Sequence, residues 1–140
     1  MTSDLTVDSE LVLLPPGKYH LRFIDWFTVL YMRKQPKVEL RFVVVEHGEH
    51  CGKRLSRWCN VKELIGKPRR RGRFKVGRSS DLLRDYARLV GGRFRLDRMA
   101  LSTLEPLTLV GQVETVERDR QQRDIPASVR YSTIRSLELA

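Results

Sequence analysis

Ser79-Ser80-Asp81-Leu82-Leu83-Arg84-Asp85-Tyr86-Ala87-Arg88-Leu89-Val90-Gly91-Gly92 is the one well-marked helical stretch in this sequence, and its place among the strands decides the fold. Leu82, Leu83, Tyr86, Leu89 and Val90 fall at helical spacing, with Arg84, Asp85 and Arg88 outside. Ser79, Ser80 and Asp81 offer side-chain oxygens to the first amides, and an acidic residue there complements the helix dipole. Gly91 and Gly92 end the helix, because glycine tolerates the left-handed conformation that follows a last turn.

Upstream of the helix three stretches alternate with period two, the mark of a strand. Lys18 to Leu30 sets Tyr19, Leu21 and Phe23 against His20, Arg22 and Ile24, and its far end stays aromatic through Tyr31. Val38 to Val45 alternates at Val38, Leu40, Phe42 and Val44. Leu55 to Val61 faces Leu55, Arg57, Cys59 and Val61 one way and Ser56, Trp58 and Asn60 the other. Arg33 to Lys37 is a basic turn, and His47 to Gly52 is a glycine-bounded reversal. Gly66 to Gly77, basic and glycine-rich, reads as an exposed loop.

Downstream, Leu107 to Val116 is a fourth strand in which Gly111 marks a bulge or bend. Glu117 to Pro126 is a polar, charged hairpin arm, and Val129 to Leu139 is a fifth strand with Tyr131, Thr133 and Ile134 inward. Residues 1–16, closing on Pro15-Pro16-Gly17, read as a flexible lead-in to a single domain over 17–140. The resulting order is mainly β: five short antiparallel strands with one α-helix between strands 3 and 4. That is the order of the OB-fold, a five-stranded Greek-key barrel, whose second and third strands and hairpin arms commonly bind single strands or oligosaccharides. A β-sandwich or an α+β sheet fits the periodicity less economically.

The charge is localised. Lys53 to Arg98 carries sixteen basic residues against four acidic ones, a net of +12, and the remainder of the chain has a net of −2, giving the overall +10. A concentrated positive surface attracts a polyanion, since each neutralised phosphate releases counterions. Arginine outnumbers lysine twenty to seven; its planar fork suits phosphates and stacks on bases, although a GC-rich genome gives the same bias. No stretch approaches the ~20 apolar residues of a membrane helix. Met1 to Glu10 is acidic and polar, unlike a secretory signal, so a cytoplasmic protein with free Cys51 and Cys59 is expected. His47, His50, Cys51 and Cys59 match no standard zinc spacing and read as a turn with one buried thiol.

Part of the chain resembles a known group. Pro16-Gly17-Lys18-Tyr19-His20-Leu21-Arg22 is similar to the Pro-x-Gly-x-Tyr opening of small phage and mobile-element proteins. Leu40-Arg41-Phe42-Val43-Val44, followed by Gly48 and Gly52-Lys53-Arg54-Leu55, resembles their strand, Gly-x-x-x-Gly, strand signature. The likeness covers residues 15–64 and, beyond them, only the order of elements. It implies an OB-fold accessory of replication or recombination that binds single-stranded DNA. Ser136 to Ala140 is not the acidic tail on which many bacterial single-stranded-DNA-binding proteins recruit partners, so that role is not carried over.

Single-strand binding needs a cationic path for the backbone and flat rings for the bases. The ring candidates are Trp26, Tyr31 and Trp58; a tryptophan that plugs the barrel mouth is the alternative, and Phe23 and Phe42 belong to the core. The cations come in three groups: Arg33, Lys34 and Lys37 on the first hairpin; Arg54, Arg57, Arg69, Arg70, Arg71, Arg73 and Lys75 in the central block, where no acidic neighbour in sequence offsets Arg69 to Lys75; and Arg118, Arg120 and Arg123 on the last arm. Arg84 and Arg88 read as surface partners of Asp81 and Asp85. No catalytic set, cofactor or metal is expected, and Gly72 to Gly77 lacks the Gly-Lys-Ser/Thr of a nucleotide loop. RNA or duplex DNA, and an acidic host or replication protein docked on the basic face, are the rival partners; edge strands also allow a homo-oligomer.

Overall fold

The computed structural model describes residues 12–91, 100–118 and 121–140. Seven strands form: β1 (Gly17–Tyr31), β2 (Gln35–Val44), β3 (Arg54–Asn60), β4 (Glu63–Ile65), β5 (Arg73–Lys75), β6 (Thr108–Val116) and β7 (Tyr131–Leu139). One α-helix among the described residues, α1 (Asp81–Val90), joins them, with short 3₁₀ turns at Leu101–Leu104 and Ala127–Val129. The main sheet is antiparallel in the order β3-β2-β1-β6-β7, and β4 and β5 form a separate two-stranded sheet.

The alternation places the core as expected. Leu21, Phe23, Val38, Leu40, Phe42, Val44, Leu55 and Cys59 are all buried on one side of the sheet. Midway along β1 the register slips between Phe23 and Asp25, so Trp26 and Thr28 continue opposite Leu40 and Val38 on the core side. In β6 the shift falls between Gln112 and Val113, one residue beyond the glycine that signalled it. Gly111 has a packing reason of its own: a Cβ there would lie 2.4 Å from Leu21 Cδ1. The paired shift in β7 changes the expected inward set. Ser132, Ile134 and Leu137 are buried, while Tyr131 and Thr133 are half-buried.

Helix α1 follows its sequence signals. Ser80 Oγ accepts from Leu83 N at 3.4 Å, and Gly91 closes the last turn by donating to Ala87 O. Leu82, Leu83, Tyr86 and Leu89 are buried as expected, but so is Asp85, which was placed outside.

Three further expectations are corrected. The sheet is not closed as a barrel, because no backbone ladder joins β3 to β7. Arg57 occupies that seam: its Nη1 donates to the carbonyls of Ile134 (3.2 Å) and Arg135, acceptors that a closing strand would otherwise use. Second, α1 lies between β5 and β6 in chain order, because part of the presumed loop 66–77 forms β5 of a hairpin. Arg73-Phe74-Lys75-Val76 alternates; Phe74 pairs in register with Leu64, and both pack against the core while Arg73 and Lys75 face out. Third, of the lead-in expected over residues 1–16, residues 1–11 lie outside the described residues, and Val12 to Pro16 is anchored, not loose. Ser132 N donates to Val12 O at 2.8 Å, Leu14 N donates to Ser132 Oγ at 2.7 Å, and Leu14 is buried.

The seam is held by a buried ion cluster. Arg57 Nε lies 2.7 Å from Asp85 Oδ2, with only 13% and 10% of the two side chains exposed. Arg88 Nη2 lies 2.9 Å from Asp85 Oδ1 and donates to Leu137 O at 2.8 Å. Removing one partner leaves a buried charge uncompensated. Asp85→Ala should therefore lower the free energy of unfolding by about 3–5 kcal/mol in urea titration. Arg84→Ala, whose partner Asp81 is itself exposed, should leave the urea midpoint nearly unchanged.

Candidate nucleic-acid interface

On the side of β2 and β3 that faces away from the core, alternation puts Lys37, Glu39 and Arg41 beside Arg54, Ser56 and Trp58. The seam then brings β7 alongside with Tyr131, Thr133 and Arg135. Together they line a groove of about 740 Å3, whose walls extend to Tyr31 at the β1–β2 hairpin and to Val116 at the end of β6. Trp58 is 44% exposed and Tyr31 37% exposed, so both present ring surface to solvent. Lys37 Nζ sits 4.7 Å from the Tyr31 ring centroid, a cation held against a flat ring.

The charges in the groove are mostly engaged. Glu39, buried on the floor, accepts from Ser56 Oγ at 2.6 Å and pairs with Arg41 at 3.3 Å. Arg41 in turn lies over the Phe27 ring at 4.1 Å. Arg135 pairs with Glu114, and Arg57 with Asp85. Lys37 and Arg54 remain without an ion pair among the described residues. The β1–β2 turn adds exposed Arg33 and Lys34 beside Tyr31, with Met32 and Arg33 at φ of 54° and 61°. Left-handed backbone at two side-chain-bearing residues fits a tight hairpin tip.

Of the sequence candidates, Tyr31, Lys37, Arg54, Arg57 and Trp58 line this groove. Arg57 does so as a bracket of the seam, in keeping with its place on the core face of β3. Trp26 does not: it stacks on Phe23 at 6.3 Å, donates from Nε1 to Gly72 O at 2.9 Å, and is covered by Arg71 at 5.2 Å. Arg69, Arg70, Arg71, Arg73 and Lys75 are also absent from the groove walls. Residues 69–71 run along the edge of β1 opposite β2, where Thr28 N donates to Arg69 O at 2.9 Å and Arg71 N to Trp26 O at 2.7 Å. Their expected freedom from acids is corrected as well. Asp25 pairs with Arg70 at 2.8 Å and Glu105 with Arg71 at 3.0 Å, both acids arriving from distant segments.

On the last arm Arg118 faces Asp124 at 3.6 Å and Arg123 is exposed, neither lining the groove, and Arg120 lies outside the described residues. Arg41, Tyr131 and Arg135 are groove residues that the sequence reading missed. For Arg41 the signal was there, since it alternates against Leu40 and Phe42. For Tyr131 and Arg135 the strand shift hid it.

No group of three or more His, Cys, Asp or Glu side chains gathers as a metal site among the described residues. No helix of the described residues is long and apolar enough to cross a membrane. Comparison with protein-family models, with curated proteins and with solved structures finds no match to this chain.

The two thiols differ sharply. Cys51 is exposed and Cys59 buried. Burial pushes the Cys59 thiol up to about 12, with Arg57 pulling in the opposite direction. A thiol reagent at mildly alkaline pH should therefore modify Cys51 quickly and Cys59 only on unfolding. The sign for stability follows: the folded state keeps the Cys59 proton where the unfolded chain releases it. The contribution is complete below pH ~9 and is lost as pH rises toward 12, so the urea midpoint should fall above pH ~9.

Proposed function

We propose that this chain is a non-enzymatic, OB-fold-type protein that binds single-stranded DNA with little regard to sequence. The observation that carries the reading is the groove: two solvent-facing rings, Trp58 and Tyr31, on walls that also carry Lys37 and Arg54. Stacking on a ring is sequence-tolerant because every base has a π-face, and cations along the rim follow the phosphates. The strand order β3-β2-β1-β6-β7 supports an OB-fold-like order of strands in a sheet left open between β3 and β7, where Arg57 bridges the seam; in that fold the face of the second and third strands is the usual binding surface. The likeness of residues 15–64 to phage and mobile-element proteins supports a place in replication or recombination.

Titration of a short homothymidine oligomer tests this, read by tryptophan fluorescence. Trp58 should be quenched, and Trp58→Ala should weaken binding by about 1–3 kcal/mol without loss of fold. With Lys37, Arg54, Arg33 and Lys34 as the contacting cations, log K against log salt should slope near −3 (about −0.7 per contact). A slope near zero, or a Trp58→Ala variant that binds as well as the parent chain, would overturn the proposal.

A further inference from the structure

Among the described residues the β4–β5 hairpin and its flanks gather a dense set of exposed cations, and the groove does not use them. Lys62, Lys67, Arg69, Arg73, Lys75 and Arg78 are exposed and make no ion pair among the described residues. The only acid in the segment is Glu63, opposite Lys75 in register. Among the described residues this surface carries no exposed aromatic ring: Phe74 packs against the core, and Arg71 covers Trp26. It can neutralise phosphates but offers bases no aromatic platform.

We propose that this hairpin is a second phosphate-binding surface, which takes the backbone of duplex DNA flanking the single strand held in the groove. The inference rests on the groove reading and adds a substrate class, the junction between single and double strand. Three observations favour a duplex. Its bases are already stacked, so a surface without rings loses nothing on binding it. It carries one charge per ~1.7 Å of axis, which rewards a dense cluster of cations. The hairpin is also held in place: Arg69 N donates to Thr28 Oγ1 at 3.0 Å and Lys62 N to Lys75 O at 2.8 Å. Gly72 is packed so tightly that a Cβ would lie 2.3 Å from Thr28 Oγ1. Cations fixed in this way lose little freedom on binding. Within this segment residues 69–71 border β1 on the edge away from β2, three strand spacings from β3 or about 14 Å. The cations of this segment lie outside the groove walls.

The test compares a homothymidine oligomer, a blunt duplex and the same duplex with a homothymidine tail, each at several salt concentrations. The parent chain should bind the tailed duplex at least about tenfold tighter than either part alone, with a steeper salt slope than for the oligomer. The variant Lys67→Gln/Arg69→Gln/Arg73→Gln/Lys75→Gln should lose that gain and bind the oligomer within about twofold of the parent. Should this variant not fold, Lys67→Gln/Arg73→Gln should show a smaller loss of the same kind. An equal loss on oligomer and tailed duplex would overturn the inference, because the hairpin would then belong to the single-strand path. So would a parent chain that gains nothing from the duplex. Unchanged oligomer binding by Trp58→Ala would instead overturn the groove reading, which keeps the two failures distinguishable.

Discussion

The buried Asp85 carboxylate, gripped by Arg57 from β3 and Arg88 from its own helix, is the constraint on which the rest of the structure depends. Both guanidinium groups reach past the carboxylate to carbonyl oxygens of β7, so one acid on α1 fixes the two outer strands of the sheet. A buried ion cluster contributes little net stability compared with an apolar replacement, but breaking it is costly. Its weight lies in position. Strands joined by a ladder sit about 4.8 Å apart and make a continuous pleated face. A seam bridged by side chains leaves space between β3 and β7, and that space becomes part of the groove.

The same seam explains why positive charge in this chain cannot be treated as one quantity. Arginines serve three separate purposes. Arg57 and Arg88 hold strands together, and Arg70 and Arg71 tie a hairpin to β1 through Asp25 and Glu105. Arg41 and Arg135 neutralise the acids of the groove. Of the other described cations, Lys37 and Arg54 stand in the groove walls, and Lys62, Lys67, Arg69, Arg73, Lys75 and Arg78 stand on or beside the β4–β5 hairpin. A net charge of +10 therefore overstates what any one surface can offer.

Much of the fold was legible because local signals and the global arrangement agree. The period of two in β1, β2 and β3, the Ser80 cap and the Gly91 stop are short-range features, and they appear where the sequence placed them. The misreadings have physical causes of longer range. Asp85 has a charged side chain at an apparently outward helical position, and its burial depends on Arg57, 28 residues earlier in sequence. The hairpin β4–β5 was hidden by its composition, although Phe74 and Val76 alternate with Arg73 and Lys75. The register shift in β7 moved Tyr131 from the expected core to the groove wall. Unbroken alternation would turn both Trp26 and Trp58 outward, yet the slip after Phe23 turns Trp26 inward while Trp58 stays out.

The groove also limits how a single strand can lie in the proposed complex. Glu39 occupies the floor, and although Ser56 and Arg41 satisfy it, a phosphate passing directly above would meet a carboxylate. Lys37 and Arg54, the cations without ion pairs there, stand to the sides, so the backbone belongs along the rim. The bases then point inward, toward Trp58 and Tyr31. A floor that repels phosphate and walls that offer rings together orient the strand. In the proposed complex the groove thus offers rings at its centre and few unpaired cations, and the denser charge lies on the hairpin outside it.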